Sequence, residues 1–221
     1  DSVWDSSARS IEGSYPSDVG TAASKHVRDP YILNKRDASG AITSGYYILA
    51  TDLNTQNGTN WGNNSKMLVY SINNLTDIDT ATPWEIDTQA ITAVSTLTGG
   101  TVSRAWAPQA IWDNAKGKYM LYWSVGYVGG LTKLYYLYTS DFKTDLASAE
   151  VKQLVFPTEF TTFIDADITF HNGVYYMFYK DEDNKKIYRA IAPNANGPYQ
   201  GSTKFSDTGM EGPQLYQRIE S

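Results

Sequence analysis

A strand–turn–strand unit recurs along the chain, and no other feature constrains the fold as tightly. The clearest copy is FIDADITFHNGVYYMFYKD, from Phe163 to Asp181. Two runs of β-branched and aromatic residues flank His171-Asn172-Gly173. Asn-Gly between such runs predicts a tight hairpin, because both turn residues must take positive φ. KKIYRAIA and a segment near Gly197-Pro198-Tyr199 continue this copy. An earlier copy has WAPQAIWD and KYMLYWSVGY around an Asn-Ala-Lys-Gly turn, followed by TKLYYLYTS and KQLVF. The first copy has DPYILN, GYYILAT, KMLVYSI and a short run at Trp84-Glu85-Ile86. A further copy opens at Glu211-Gly212-Pro213.

The copies start near Asp29, Ala107, Asp165 and Glu211, in steps of roughly 78, 58 and 46 residues. Repeats of about 40–60 residues, each holding four short strands, are the signature of a β-propeller. A β-sandwich also has many short strands. The propeller is favoured because a polar or acidic residue recurs at the start of each unit's first strand, which lines the central channel of a propeller. The expected fold is therefore all-β, with about three complete blades and the start of a fourth. No amphipathic helix of useful length is expected. Residues 1–24 read as an irregular lead-in or linker, and 25–221 as the partial propeller.

Composition narrows the partners. Lys and Arg total 18 against 24 Asp and Glu, a net charge of −6. No basic block stands out, so nucleic acid and anionic membrane are poor partners. No apolar run approaches the roughly 18 residues of a membrane span. With no Cys and two His, there is no disulfide framework and no metal-ligand spacing of the zinc type. Asn57, Asn63 and Asn74 begin glycosylation triplets, which a chain this rich in Asn and Thr produces by chance. Aromatic residues make up 14% of the chain, which strand propensity explains first and sugar stacking second.

Three acids stand at comparable unit starts: Asp29 in RDPY, Asp165 in IDAD and Glu211 in MEGP. Each is followed by a small or rigid residue, and Pro belongs at a strand's beginning. Alone, each acid reads as a turn cap. At matching repeat positions they converge on the channel mouth. A pair of carboxylates across a cleft is what glycoside hydrolysis requires, one giving a proton and the other activating water or attacking the sugar. A third nearby carboxylate raises the donor's pKa. Asp167, two residues from Asp165, shares its strand face and is the rival for that place.

The set RDPY, RAWAPQAIWD, IDADITFHNGVYYMFYK and MEGPQLY resembles glycoside hydrolase family 43, over roughly residues 25–217. The resemblance implies a five-bladed propeller and an inverting enzyme of the α-L-arabinofuranosidase, β-xylosidase or arabinanase kind. It implies Asp29 as general base, Asp165 as modulator of the acid's pKa and Glu211 as general acid. An inverting pair stands about 6.5–9.5 Å apart. Arg104 and Trp106 are the implied contacts near the scissile sugar, Trp106 serving equally as an inter-blade packing residue. Trp61, in a polar loop, is a candidate sugar platform. Trp112, Trp123 and the Tyr pairs at 46–47, 135–136 and 175–176 are expected in the core.

The chain departs from the family pattern in two places. Gln109 stands where the family commonly has Glu. Neither His26 nor His171 matches the family's channel His, although His26 is close enough in sequence to orient Asp29. No cofactor is implied beyond a structural Ca²⁺ or Na⁺ in the channel. The remaining blades are expected from further C-terminal sequence or a second chain, the partner is an oligo- or polysaccharide, and the expected location is extracellular or cell-surface. Two alternatives stand beside this reading: a retaining fructan-acting propeller hydrolase and a non-catalytic glycan-binding propeller.

Overall fold

The computed structural model describes residues 27–53, 61–62, 64–155, 161–207 and 209–215. The lead-in, His26 and the triplets at Asn57 and Asn63 lie outside the described residues. Twelve strands form three four-stranded antiparallel sheets, each in simple up-and-down order. The first sheet holds β1 (Val27–Arg36), β2 (Ile42–Asp52), β3 (Lys66–Ile72) and β4 (Trp84–Asp87). The second holds β5 (Val102–Asp113), β6 (Lys118–Tyr127), β7 (Lys133–Thr139) and β8 (Lys152–Gln153). The third holds β9 (Phe163–His171), β10 (Val174–Asp181), β11 (Lys186–Ala192) and β12 (Gln200–Lys204). The first strands of successive sheets touch, β1 against β5 and β5 against β9. That contact is what radial stacking of blades around a channel requires.

Local chemistry accounts for the hairpins. His171 pairs with Val174, and Asn172 and Gly173 take φ of 49° and 82°. Both turn positions are left-handed, as the Asn-Gly signal predicts. Gly45 serves a different end. It has φ of 94°, and a Cβ there would stand 2.5 Å from the Ile72 carbonyl oxygen. Gly45→Ala therefore adds backbone strain to a steric clash, and is expected to cost about 1–3 kcal/mol. Gly117→Ala, where a Cβ meets nothing within 4 Å, carries the strain without the clash and costs less. Denaturant midpoints of the two variants check the difference.

Period-2 alternation explains how one blade serves two cores. On β6, Tyr119, Leu121 and Trp123 face the first blade and pack with Leu49, Met67 and Val69. Met120 and Tyr122 face the third blade and pack with Ile168, Met177 and Tyr179. Burial on both faces is why KYMLYWSVGY reads as a continuous apolar run. Trp123 and the pair Tyr135–Tyr136 are core as expected. Tyr175 and Tyr176 are only half-buried: Tyr175 packs at the margin of the core between blades two and three, and Tyr176 lies on the opposite face, which carries no sheet among the described residues.

One short helix, α1 (Thr92–Thr98), follows the first blade, where no helix is expected from the sequence. Its threonines and valine are poor helix formers. Burial of Ile91 and Val94, three apart, in the core between blades one and two overrides that preference. Among the described residues no helix is long and apolar enough to cross a membrane.

Candidate active site

Each inner strand breaks its ladder at a corresponding place in its unit. The β1–β2 register shifts between Arg28 and Tyr31, and the β5–β6 register between Trp106 and Gln109. The β9–β10 register shifts opposite Phe178 and Lys180. At each break sits a left-handed residue: Asp29 at φ 50°, Ala107 at 47° and Asp165 at 53°. Positive φ is rare outside glycine, and a bulge of this kind re-aims side chains. The repeat positions read from the sequence thus mark a repeated backbone kink at the channel mouth.

The fourth unit departs from the expected register by one residue. Gly212, at φ 50° and followed by Pro213, takes the left-handed position. Glu211 precedes it and so matches Arg28, Trp106 and Ile164, not Asp29 and Asp165. Because facing alternates along a strand, a one-residue offset presents a side chain from a different direction.

The strand beside each kink supplies a matching group. Thr51 and Ser124 stand opposite Arg28 and Trp106. The Ala107 N–H donates to Thr51 Oγ1 at 2.8 Å, and the Asp165 N–H to Ser124 Oγ at 3.3 Å. A hydroxyl of one blade thereby satisfies the kinked N–H of the next. In the third blade the corresponding residue is Lys180, opposite Ile164. Its side chain is 2% exposed. Its Nζ pairs with Glu182 Oε2 at 2.6 Å and with Glu211 Oε2. Lys180 is a site residue that the sequence reading missed. Its signal is a lysine inside the apolar run VYYMFYKD.

Asp29, Asp165, Glu211, Arg104, Trp106 and Trp61 all line one cavity of about 950 Å³, with Lys180 and Glu182. Trp61 is 52% exposed and stands edge-to-face with Trp106, ring centroids 6.4 Å apart. The Arg28 guanidinium lies 5.1 Å over Trp61 and that of Arg104 5.3 Å over Trp106. Such cation–π contacts hold the rings as one wall. Arg104 also donates to Thr132 Oγ1 at 3.2 Å. Among the described residues, Arg104 Nε and Trp106 Nε1 are buried without a hydrogen-bond partner.

The opposite wall is electrostatically uneven. Burial, and then the nearby Asp29 charge, push the Asp165 carboxyl up to about 6, with Lys180 acting against the shift. Burial likewise pushes Asp167 up to about 6. A carboxyl that ionises later in the native state than in the unfolded chain costs nothing at pH below about 4. The cost builds between about pH 4 and 6, where the unfolded chain has lost the proton that the native carboxyl still holds, and persists above that. Asp165→Asn removes the titration, so its stability relative to the native sequence should be higher at pH 7 than at pH 4. With screening at this half-buried site the difference is on the order of 1–2 kcal/mol. Denaturation of both proteins at the two pH values checks the sign.

Asp167 does not share the cavity. It is 2% exposed and occupies the layer below the kinks, level with Tyr31 and Gln109. His171 belongs to the hairpin at the far end of β9. Among the described residues no three His, Cys, Asp or Glu side chains are placed to hold a metal ion.

Solved structures share this fold at low identity. The α-L-arabinofuranosidase of Lactobacillus brevis aligns with a TM-score of 0.52 and 18% identity, over 80% of this chain and 52% of that one. The catalytic domain of the Coprinopsis cinerea family 62 α-L-arabinofuranosidase gives 0.51 and 13%, over 84% and 51%. The chain spans about half the length of each. No curated protein sequence matches it significantly. A family profile related to glycoside hydrolase family 43, described as "Probable glycosyl hydrolase domain", matches residues 11–221. That match takes in all three blades, the kinks and the whole cavity wall, and the chain therefore belongs to this family-43-related group of β-propeller proteins.

Proposed function

We propose that the domain acts as an inverting glycoside hydrolase on arabinose- or xylose-containing glycans. Asp29 is the general base, Glu211 the general acid and Asp165 the carboxylate that tunes and orients. One observation carries the reading: three carboxylates, from three chain segments up to 182 residues apart, line one cavity walled by two tryptophans. Its roughly 950 Å³ lies within the range of small-ligand sites. The ring faces of Trp61 and Trp106 suit a sugar's C–H face. Arg104, which also lines the cavity, has guanidinium N–H groups that suit the sugar's hydroxyls.

In the reaction, Glu211 protonates the glycosidic oxygen as that bond breaks. Asp29 takes a proton from a water that attacks the anomeric carbon from the opposite face. Following the anomeric product by proton NMR during hydrolysis of p-nitrophenyl α-L-arabinofuranoside or β-xyloside tests this directly. Inverted product is expected. Retained configuration points to the fructan-type mechanism, and binding without turnover points to a glycan-binding propeller.

The Lys180 contact favours a second division of labour. The Lys180 ammonium already engages Glu211 Oε2, a contact suited to a carboxylate that orients. Asp165, whose carboxyl is pushed up to about 6 by burial and then by the Asp29 charge, holds its proton to higher pH than a free carboxyl. In this second reading Asp165 donates the proton and Glu211 orients substrate.

A further inference from the structure

The segment that carries Glu211 is held without a strand ladder. Its described residues 209–215 form no strand, yet Glu211 reaches the cavity. Two of its backbone N–H groups have partners. Met210 donates to the Lys185 carbonyl at 3.3 Å. Leu215 donates to Asp167 Oδ2.

Asp167 is built for that last contact. Being almost fully buried, it cannot exchange the bond for water. Its other oxygen faces the second blade. Gln109, with its amide nitrogen turned inward, has Asp167 Oδ1 at 3.0 Å, the Ala166 carbonyl at 3.0 Å and Tyr122 Oη at 3.1 Å as acceptors for its two N–H groups. The reverse orientation would set the Gln109 oxygen against a carboxylate and a carbonyl. Tyr122 Oη also accepts the Ile168 N–H at 2.9 Å. The two Asp167 oxygens therefore tie the second blade's inner strand to the segment that opens the fourth.

We propose that Asp167 is a positioning residue of the active site: its carboxylate anchors residues 209–215 to the inner strands and so sets where Glu211 projects. The inference rests on Glu211 being the proton donor. It adds that the donor's placement comes from a buried side chain one layer below the cavity. Losing the anchor shifts Glu211, because residues 209–215 form no strand ladder of their own.

The test uses Asp167→Leu and Asp167→Asn in the full chain. Leu keeps the branching at Cγ, is somewhat larger and removes both acceptors. Asn keeps one acceptor for Leu215 and turns its NH₂ to Gln109, whose amide can reverse. In Asp167→Leu, amide hydrogen exchange across 209–215 should rise about tenfold or more, with β5–β7 unchanged. Hydrolysis of oligosaccharides should fall about 10–100-fold, and that of dinitrophenyl glycosides, which need no acid, less than about threefold. Asp167→Asn should restore both readouts. Should Asp167→Leu fail to fold, Leu215→Pro deletes the donor from the exposed side and should give the same pattern. Unchanged exchange across 209–215 overturns the proposal. So does a rise shared by every strand, or an equal loss on both substrates. If Glu211→Gln itself shows no leaving-group dependence, the assignment of Glu211 fails, while the exchange measurement still decides the anchor.

Discussion

Glu211→Gln should lower kcat on unactivated oligosaccharides by about 10²–10⁴-fold, the usual worth of a general acid. Hydrolysis of 2,4-dinitrophenyl glycosides should stay within about tenfold of the unmodified protein. The contrast follows from what the acid does. A poor leaving group needs a proton as its bond breaks, and dinitrophenolate leaves unaided. Gln is nearly isosteric, and its amide oxygen can still accept from Lys180, so placement is disturbed little. Steady-state kinetics on the two substrate classes separates the roles. If Asp165→Asn shows the leaving-group dependence and Glu211→Gln does not, Asp165 is the donor and the Lys180 contact marks an orienting Glu211.

Asp29→Asn should abolish turnover on both classes alike, again by about 10²–10⁴-fold. Asn cannot take the proton from the attacking water, and a better leaving group does not replace that step. Azide, which attacks without deprotonation, should restore activity on the activated substrate and give a glycosyl azide of inverted configuration. The fold should not suffer. Asp29 is exposed and left-handed, a conformation Asn tolerates as well as Asp. Its denaturation midpoint should therefore match that of the unmodified protein. A loss confined to poor leaving groups, or no rescue by azide, would remove Asp29 from the base role.

Much of this site was legible because its signals are local. The Asn172-Gly173 turn is written in two residues that accept positive φ, and the blades are written in turn spacing and apolar runs. Asp29 and Asp165 stood out because the kink recurs at one place in each unit. Trp61 and Trp106 were named singly; that they form one wall, clasped by Arg28 and Arg104, is a long-range fact. Tyr175 packs against the core as expected, whereas Tyr176 does not, since an aromatic strand looks the same whether one face or both are covered.

The sequence by itself determined the repeating hairpins, the all-β class and three carboxylates at unit starts. These follow from near-neighbour chemistry: φ preferences at turns, period-2 alternation and the acids at or beside three of the four kinks. The tertiary structure alone decided which way those groups face. It placed Glu211 one residue off the repeat, set Lys180 where other blades carry Thr51 and Ser124, and turned Asp167 from a rival acid into an anchor. Each depends on how one blade stacks on the next. A bulge changes facing by a single residue, and a buried polar group takes whichever partner the neighbouring strand presents. No local pattern along the chain encodes either choice.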